Sequence, residues 1–260
     1  MKVAIMGAGA FGTALGGLLV ENKYDVEYYD VKGNKKLDQV LSGAEAVVLA
    51  VPSGAVPEML PLLPKNLPLV IATKGILTLD TFKDFEDYMI LSGPGFADDI
   101  KAGKRTRLVA TDQRIIKMFS TIYLTFDYTN DERGVLMCGA LKNVYAVQAG
   151  LMGLIPNTEE HVGFLYAAAQ EMKAILVANG AKAETVDLPC GEGDLEITCA
   201  KPSRNYEYGM KLRADANYLP EKTVEGLAAL GKIKQGDIVV PEEARYLRVL
   251  MADDRLERRD

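Results

Sequence analysis

Three short stretches carry side chains suited to moving a proton and holding a phosphate. Lys142 lies in Gly139-Ala140-Leu141-Lys142-Asn143, within a run of helical period. On a helix it shares its face with Val135, Cys138, Gly139, Tyr145, Ala146 and Ala149, none of them charged. An ammonium among such neighbours loses hydration, which brings its pKa down toward the range useful for proton transfer. Gly139, one turn back, leaves space for a ligand. The same pattern also fits a lysine snorkelling at a helix edge. Asp194 sits in Gly191-Glu192-Gly193-Asp194, a glycine-rich turn before an apolar stretch. It is either a helix cap or a carboxylate that positions Lys142 and supports its charged form. Shortly after come Ser203, Arg204 and Asn205. With Ser203 capping a helix, Arg204 and the helix N–H groups make a phosphate site.

The elements that must position these residues fall into two halves. Strand-like segments at Lys2–Met6, Asp25–Tyr29, Ala46–Val51, Leu69–Thr73, Tyr88–Leu91 and Arg107–Ala110 alternate with helical ones at Phe11–Glu21 and Leu37–Ser42. Repeated βα units predict an α/β domain, a Rossmann-like doubly wound parallel sheet covered by helices on both faces. Five prolines between Pro52 and Pro68 read as rigid turns around a short helix. After about Asn130 the period becomes helical, over Gly134–Gly150 and Val162–Asn179, with Gly180 as a stop. This predicts a cofactor domain over 1–131 and a mainly α-helical domain over 132–260. The charged run Met251–Asp260 reads as a frayed, solvated end.

Gly7-Ala8-Gly9-Ala10-Phe11-Gly12 is G-x-G-x-x-G placed directly after a strand and opening a helix. Gly7 permits the tight turn, Gly9 admits a pyrophosphate to the backbone, and Gly12 lets helix and strand pack closely. The helix N-terminus offers N–H groups and a partial positive charge to the phosphates. Asp30 follows the second strand, where a carboxylate accepts from both adenosine ribose hydroxyls and repels a 2′-phosphate, favouring NAD over NADP. Lys32, Lys35 and Lys36 point the other way, toward NADP, unless they form only a solvated turn.

The formal charge of −6 leaves no electrostatic footprint for nucleic acid or an anionic membrane. Three cysteines without a C-x-x-C pair suit reduced thiols. The single histidine, His161, falls in a polar run and reads as a solvated surface residue. Metal sites and Ser-His-Asp triads are therefore poorly supported, and no metal is expected. The apolar N-terminal stretch is broken by glycines and reads as structure, not as a signal peptide, and no apolar run is expected to span a membrane.

The blocks GAGAFGTAL at 7–15, VPS at 51–53, ATKG at 72–75, SGP-FA at 92–97, GALKNVYAV at 139–147, GDLEITC at 193–199, SRN at 203–205 and VEG at 224–226 run in one order along the chain. In these the sequence resembles the NAD(P)-dependent sn-glycerol-3-phosphate dehydrogenases. The resemblance implies reversible reduction of dihydroxyacetone phosphate, a phosphorylated triose, with Lys142 as general acid and Asp194 orienting it. Lys74, Gly93, Asn143, Thr198, Ser203, Arg204 and Asn205 would meet substrate. Gly7, Gly9, Ala10, Phe11, Gly12, Asp30, Lys74, Ala97, Arg204 and Glu225 would meet NAD or NADP. A homodimer through the helical domain is also implied, while the cytoplasmic location is the expectation from the unpaired cysteines. The chain departs from the pattern in a short connection between the second strand and VPS, in LPCGEGD before Asp194, and in Gly95, where a hydroxyl residue is expected. The alternatives are a sister reductase for a carboxylated or CoA-linked ketone, which gives no reason for Ser203-Arg204-Asn205, and a non-catalytic NADH sensor, which does not need Lys142, Asp194 and Arg204 together.

Overall fold

A computed structural model describes residues 1–256. The chain forms two compact units, one of Met1–Thr73 with Leu79–Glu132, the other of Lys74–Thr78 with the chain from Arg133 onward. The segment Lys74–Thr78 thus joins the second unit, which a single cut at 131/132 does not provide.

The first unit is built on seven strands: β1 (Lys2–Met6), β2 (Asp25–Tyr29), β3 (Ala46–Leu49), β4 (Leu69–Ile71), β5 (Tyr88–Ser92), β6 (Thr106–Ala110) and β7 (Leu124–Tyr128). They lie in the order β2-β1-β3-β4-β5-β6-β7. β3 is buried along its whole length and reads AVVL, as expected of a strand covered on both faces. Helices α1 (Ala10–Glu21), α2 (Leu37–Leu41), α3 (Val56–Met59), α4 (Ala97–Lys101) and α5 (Gln113–Phe119) occupy the connections. Leu15, Leu18 and Leu19 of α1 join Val3, Ile5, Val48 and Val70 in one apolar core. Of the prolines between β3 and β4, Pro57 and Pro61 lie in the first turns of short helical segments over Ser53–Leu62 and the others flank them.

The sheet is mostly parallel, as expected of a doubly wound fold, with two features that the sequence did not show. β5 and β6 pair antiparallel, through Leu91 with Ala110 and Ser92 with Val109. β7, parallel to β6, was not expected. Its residues Leu-Thr-Phe-Asp-Tyr bury only Leu124, so this edge strand lacks the apolar run that marks its neighbours.

The second unit is helical. Its centre is α6 (Glu132–Met152), in which every residue from Gly134 to Leu151 is buried. By length and composition alone α6 could cross a membrane, but 89% of its apolar window is buried within the protein. That is the signature of a helix surrounded by its own fold. Around it lie α7 (Glu159–Ala178), α8 (Asp194–Thr198), α9 (Arg204–Ala214), α10 (Glu225–Gln235) and α11 (Arg245–Met251). Gly236, in the left-handed conformation, ends α10.

His161 overturns its reading as a solvated residue. It is 2% exposed, and its Nε2 lies 3.1 Å from the carbonyl oxygen of Cys199 at the end of α8. The polar run is the cap of α7, where the Thr158 hydroxyl accepts from the His161 N–H, and the ring turns inward from that first turn. The expected frayed end is also corrected in part. Met251 closes α11 and Leu256 is buried, while 257–260 lie outside the described residues.

Candidate active site

In the first unit, the turn at Gly7 lies where the chain order reverses about β1, at the carboxyl ends of β1 and β3. That switch point is where open α/β sheets bind ligands. The Gly7 N–H donates to Tyr29 O at 2.8 Å, and φ is +105°. A Cβ on Gly7 would stand 2.7 Å from Ala50 O, and one on Gly12 2.0 Å from Gly7 O. These two glycines are required by the protein itself. Gly9 is different, because a Cβ there would meet nothing within 4 Å. Gly9 is the N-cap of α1 and supplies no side-chain cap. A glycine that no protein atom demands, at the mouth of a helix N-terminus, fits a bound pyrophosphate. The loop therefore fits a dinucleotide, with Ala10 and Phe11 in the first turn of α1.

Asp30 follows β2 directly and faces the same loop. Its Oδ2 accepts from the Ala8 N–H at 3.1 Å and its Oδ1 from the Lys32 N–H at 2.9 Å. Of the basic set, Lys35 is ion-paired with Glu27, whose carboxyl it holds below the ordinary range, while Lys36 opens α2. Also in this unit, Gly93 has φ +134°, a Cβ on it would lie 3.1 Å from Leu108 Cα and Cδ2, and Ala97 begins α4. At Gly95 a Cβ would lie 3.2 Å from both Ile100 Cδ1 and Leu108 Cδ2, so apolar side chains crowd the place of the missing hydroxyl residue.

In the second unit, Lys142 is 3% exposed and lies midway along α6. Its Nζ is ion-paired with Asp194 Oδ1 and lies 3.2 Å from Thr198 Oγ1. Asp194, 1% exposed, is brought there by one turn of π-helix over Pro189–Gly193 that runs directly into α8. Gly191 makes that turn possible, since a Cβ there would fall 2.0 Å from Val186 O. Asp194 is not the N-cap; it is the first residue of α8, and Gly193 caps. The second carboxylate oxygen meets Lys74 Nζ at 3.3 Å. Thr198, one turn along α8, donates to Asp194 Oδ1 at 3.4 Å.

One buried carboxylate thus stands between two ammonium groups. Burial is the dominant influence on Lys142 and lowers its pKa to about 7. Asp194 opposes the fall and Lys74 adds to it. An amine that ionises near neutrality and is fixed by a carboxylate is equipped to give and take a proton.

Ser203 caps α9, its hydroxyl accepting from the Tyr206 N–H, and Arg204 is exposed in the first turn. A cavity of about 240 Å³ lies beside Arg204, lined also by Lys211, Lys222, Glu207, Tyr208 and Tyr218. Asn143 and Asn205 meet each other, and Asn205 also meets the Gly226 N–H beside Glu225 at the start of α10. Sequence reasoning missed the ion pair of Lys74 with Asp194 and the presence of Lys222 at the Arg204 cavity. The ATKG block marked Lys74, but nothing in its spacing from Asp194, 120 residues away, signals that they meet. Among the described residues no cluster of His, Cys, Asp and Glu could hold a metal ion.

The family model described as NAD-dependent glycerol-3-phosphate dehydrogenase N-terminus matches residues 27–115, and its C-terminal counterpart matches 131–240. The chain is 31% identical to glycerol-3-phosphate dehydrogenase [NAD(P)+] of Maridesulfovibrio salexigens, over 82% of this chain and 80% of that one. It is 32% identical to the protein of the same name from Agrobacterium fabrum, over 88% and 85%. The crystal structure of glycerol-3-phosphate dehydrogenase from Coxiella burnetii superposes with a TM-score of 0.80 at 21% identity, covering 98% of this chain and 96% of that one.

Proposed function

Because the chain belongs to the NAD-dependent glycerol-3-phosphate dehydrogenase family, we propose that it interconverts dihydroxyacetone phosphate and sn-glycerol 3-phosphate, with Lys142 as general acid and base. The observation that carries this reading is the buried cluster of Lys142, Asp194 and Lys74. When bound at the glycine loop, NADH or NADPH supplies the hydride that reduces the carbonyl carbon.

Lys142 Nζ gives the carbonyl oxygen its proton, which turns ketone into alcohol and leaves a neutral amine. Burial favours that neutral product, whereas Asp194 keeps the charged form accessible and holds the amine in place. In the reverse direction the neutral amine accepts the hydroxyl proton. Thr198 fixes the geometry by bonding both partners. The phosphate is held by the Arg204 guanidinium and the α9 N-terminus that Ser203 caps, with Lys222 a further cation at that cavity. Gly93, Asn143 and Asn205 complete the substrate contacts implied by the resemblance. Ala10, Phe11, Ala97 and Glu225 complete those to the cofactor. Asp30 selects NAD, an assignment supported by the pairing of Lys35 with Glu27. A homodimer and a cytoplasmic location are part of the same proposal, and mass in solution tests the dimer.

Purified protein mixed with dihydroxyacetone phosphate and NADH should oxidise the cofactor in step with formation of glycerol 3-phosphate. Turnover of a carboxylated ketone with dihydroxyacetone phosphate inert would refute the assignment.

A further inference from the structure

We infer that Asn205, beyond the substrate contact proposed above, fixes the orientation of the Asn143 side-chain amide by a hydrogen-bond chain of defined polarity. This rests on the function proposed above only for its kinetic readout. The chain begins at the Gly226 N–H, which donates to Asn205 Oδ1 at 2.9 Å. Asn205 Nδ2 then donates to Asn143 Oδ1 at 2.8 Å. Asn143 Nδ2 donates to Gly139 O at 3.1 Å, one turn back on α6.

Backbone groups stand at both ends, and neither can exchange roles: an N–H only donates and a carbonyl only accepts. With the ends fixed, both amides have one permitted orientation. Turning either one over would oppose oxygen to oxygen or N–H to N–H. Both residues are buried, Asn143 at 4% and Asn205 at 8% exposure, so a broken link would find no water in exchange. The route also ties three elements, α6, α9 and α10, at one point. Gly226 is required there, because a Cβ would lie 2.4 Å from Asn143 O. Lys142 and Asn143 are adjacent on α6, and Asn205 follows Arg204 on α9. Rotation of the Asn143 amide would therefore change the substrate contact proposed for Asn143 without altering the partners of Lys142, which are Asp194 and Thr198.

The test is a double-mutant cycle on the full chain with Asn143→Ala, Asn205→Ala and both, together with Asn205→Asp. Each single alanine variant should lower kcat/KM for dihydroxyacetone phosphate about tenfold, the size expected for one buried hydrogen bond. The double variant should lose clearly less than the product of the two single losses. Asn205→Asp is nearly isosteric and still accepts from Gly226, but sets an oxygen against Asn143 Oδ1, so it should lose at least as much as Asn205→Ala. Losses that multiply in the double variant, or an aspartate variant as active as wild type, would overturn the inference. The second readout needs no substrate: the Asn143 side-chain amide resonances in a 15N-labelled protein should move in Asn205→Asp. If wild type proves inactive on this substrate, the functional proposal fails and the resonances decide the inference alone. Unmoved resonances would overturn it.

Discussion

Replacing Lys74 with methionine should raise the pKa of Lys142. Two consequences of the substitution act with the same sign. The repulsion between two ammonium groups flanking Asp194 disappears, and the whole carboxylate is left to Lys142. Like charges about 5 Å apart at an effective dielectric near 20 repel by roughly 3 kcal/mol. The Lys74 side chain is 24% exposed, so solvent screens part of this. Discounting for that leaves about 1–2 kcal/mol, or roughly one pH unit. Reduction needs the ammonium, so kcat/KM for dihydroxyacetone phosphate should be level below about pH 7 and fall above it. In Lys74→Met the inflection should move up to about pH 8. Oxidation of glycerol 3-phosphate needs the neutral amine, so its rising limb should move by the same amount. A lost substrate contact at Lys74 would lower the plateau but not shift the inflection. The assay is initial rates across a pH series in both directions. An inflection that stays in place or moves to lower pH would refute this electrostatic account.

Three other substitutions probe separate parts of the structure. Asp30→Ser removes the carboxylate that receives the Ala8 and Lys32 N–H groups, and should tighten NADPH binding relative to NADH by about tenfold, read by equilibrium titration. Unchanged discrimination would move the selector elsewhere. Gly95→Ser restores a hydroxyl where Ile100 and Leu108 need yield only a few tenths of an ångström, so stability should change by less than about 1 kcal/mol while KM for dihydroxyacetone phosphate falls severalfold. Glu171→Leu should cost about 2–4 kcal/mol in urea unfolding, because the buried carboxylate accepts from the Tyr145 hydroxyl and from the N–H groups of Tyr246 and Leu247 at the start of α11. A loss under about 1 kcal/mol would show that α11 is held by packing alone.

The elements that were legible in sequence are those whose residue types suit one kind of element over their whole length. β1 and β2 are found with the predicted limits, and α6 and α7 differ from theirs by at most a few residues. Such segments show their environment in their own composition. β7 does not, because an edge strand with Thr125 and Asp127 among its residues looks like a loop until β6 is beside it. The antiparallel turn of β6 depends on chain path and leaves no mark on residue type. At the site, Lys142 could be read because an uncharged helical face around a lysine is a local pattern. Its pairing with Lys74 through Asp194 is a long-range fact, and so is the amide chain through Asn205. His161 misled for a related reason. Its neighbours Thr158, Glu159 and Glu160 are a helix cap and first turn, whose polarity says nothing about the next residue turning inward.

The central claim is that Lys142 supplies the proton as a phosphorylated ketone is reduced. The most direct test is to follow loss of dihydronicotinamide absorbance with dihydroxyacetone phosphate, comparing wild type with Lys142→Met at matched cofactor saturation. The account predicts rapid oxidation by wild type and a loss of about 10²–10⁴-fold in the variant, with NADH affinity unchanged. A variant that retains wild-type turnover would contradict it.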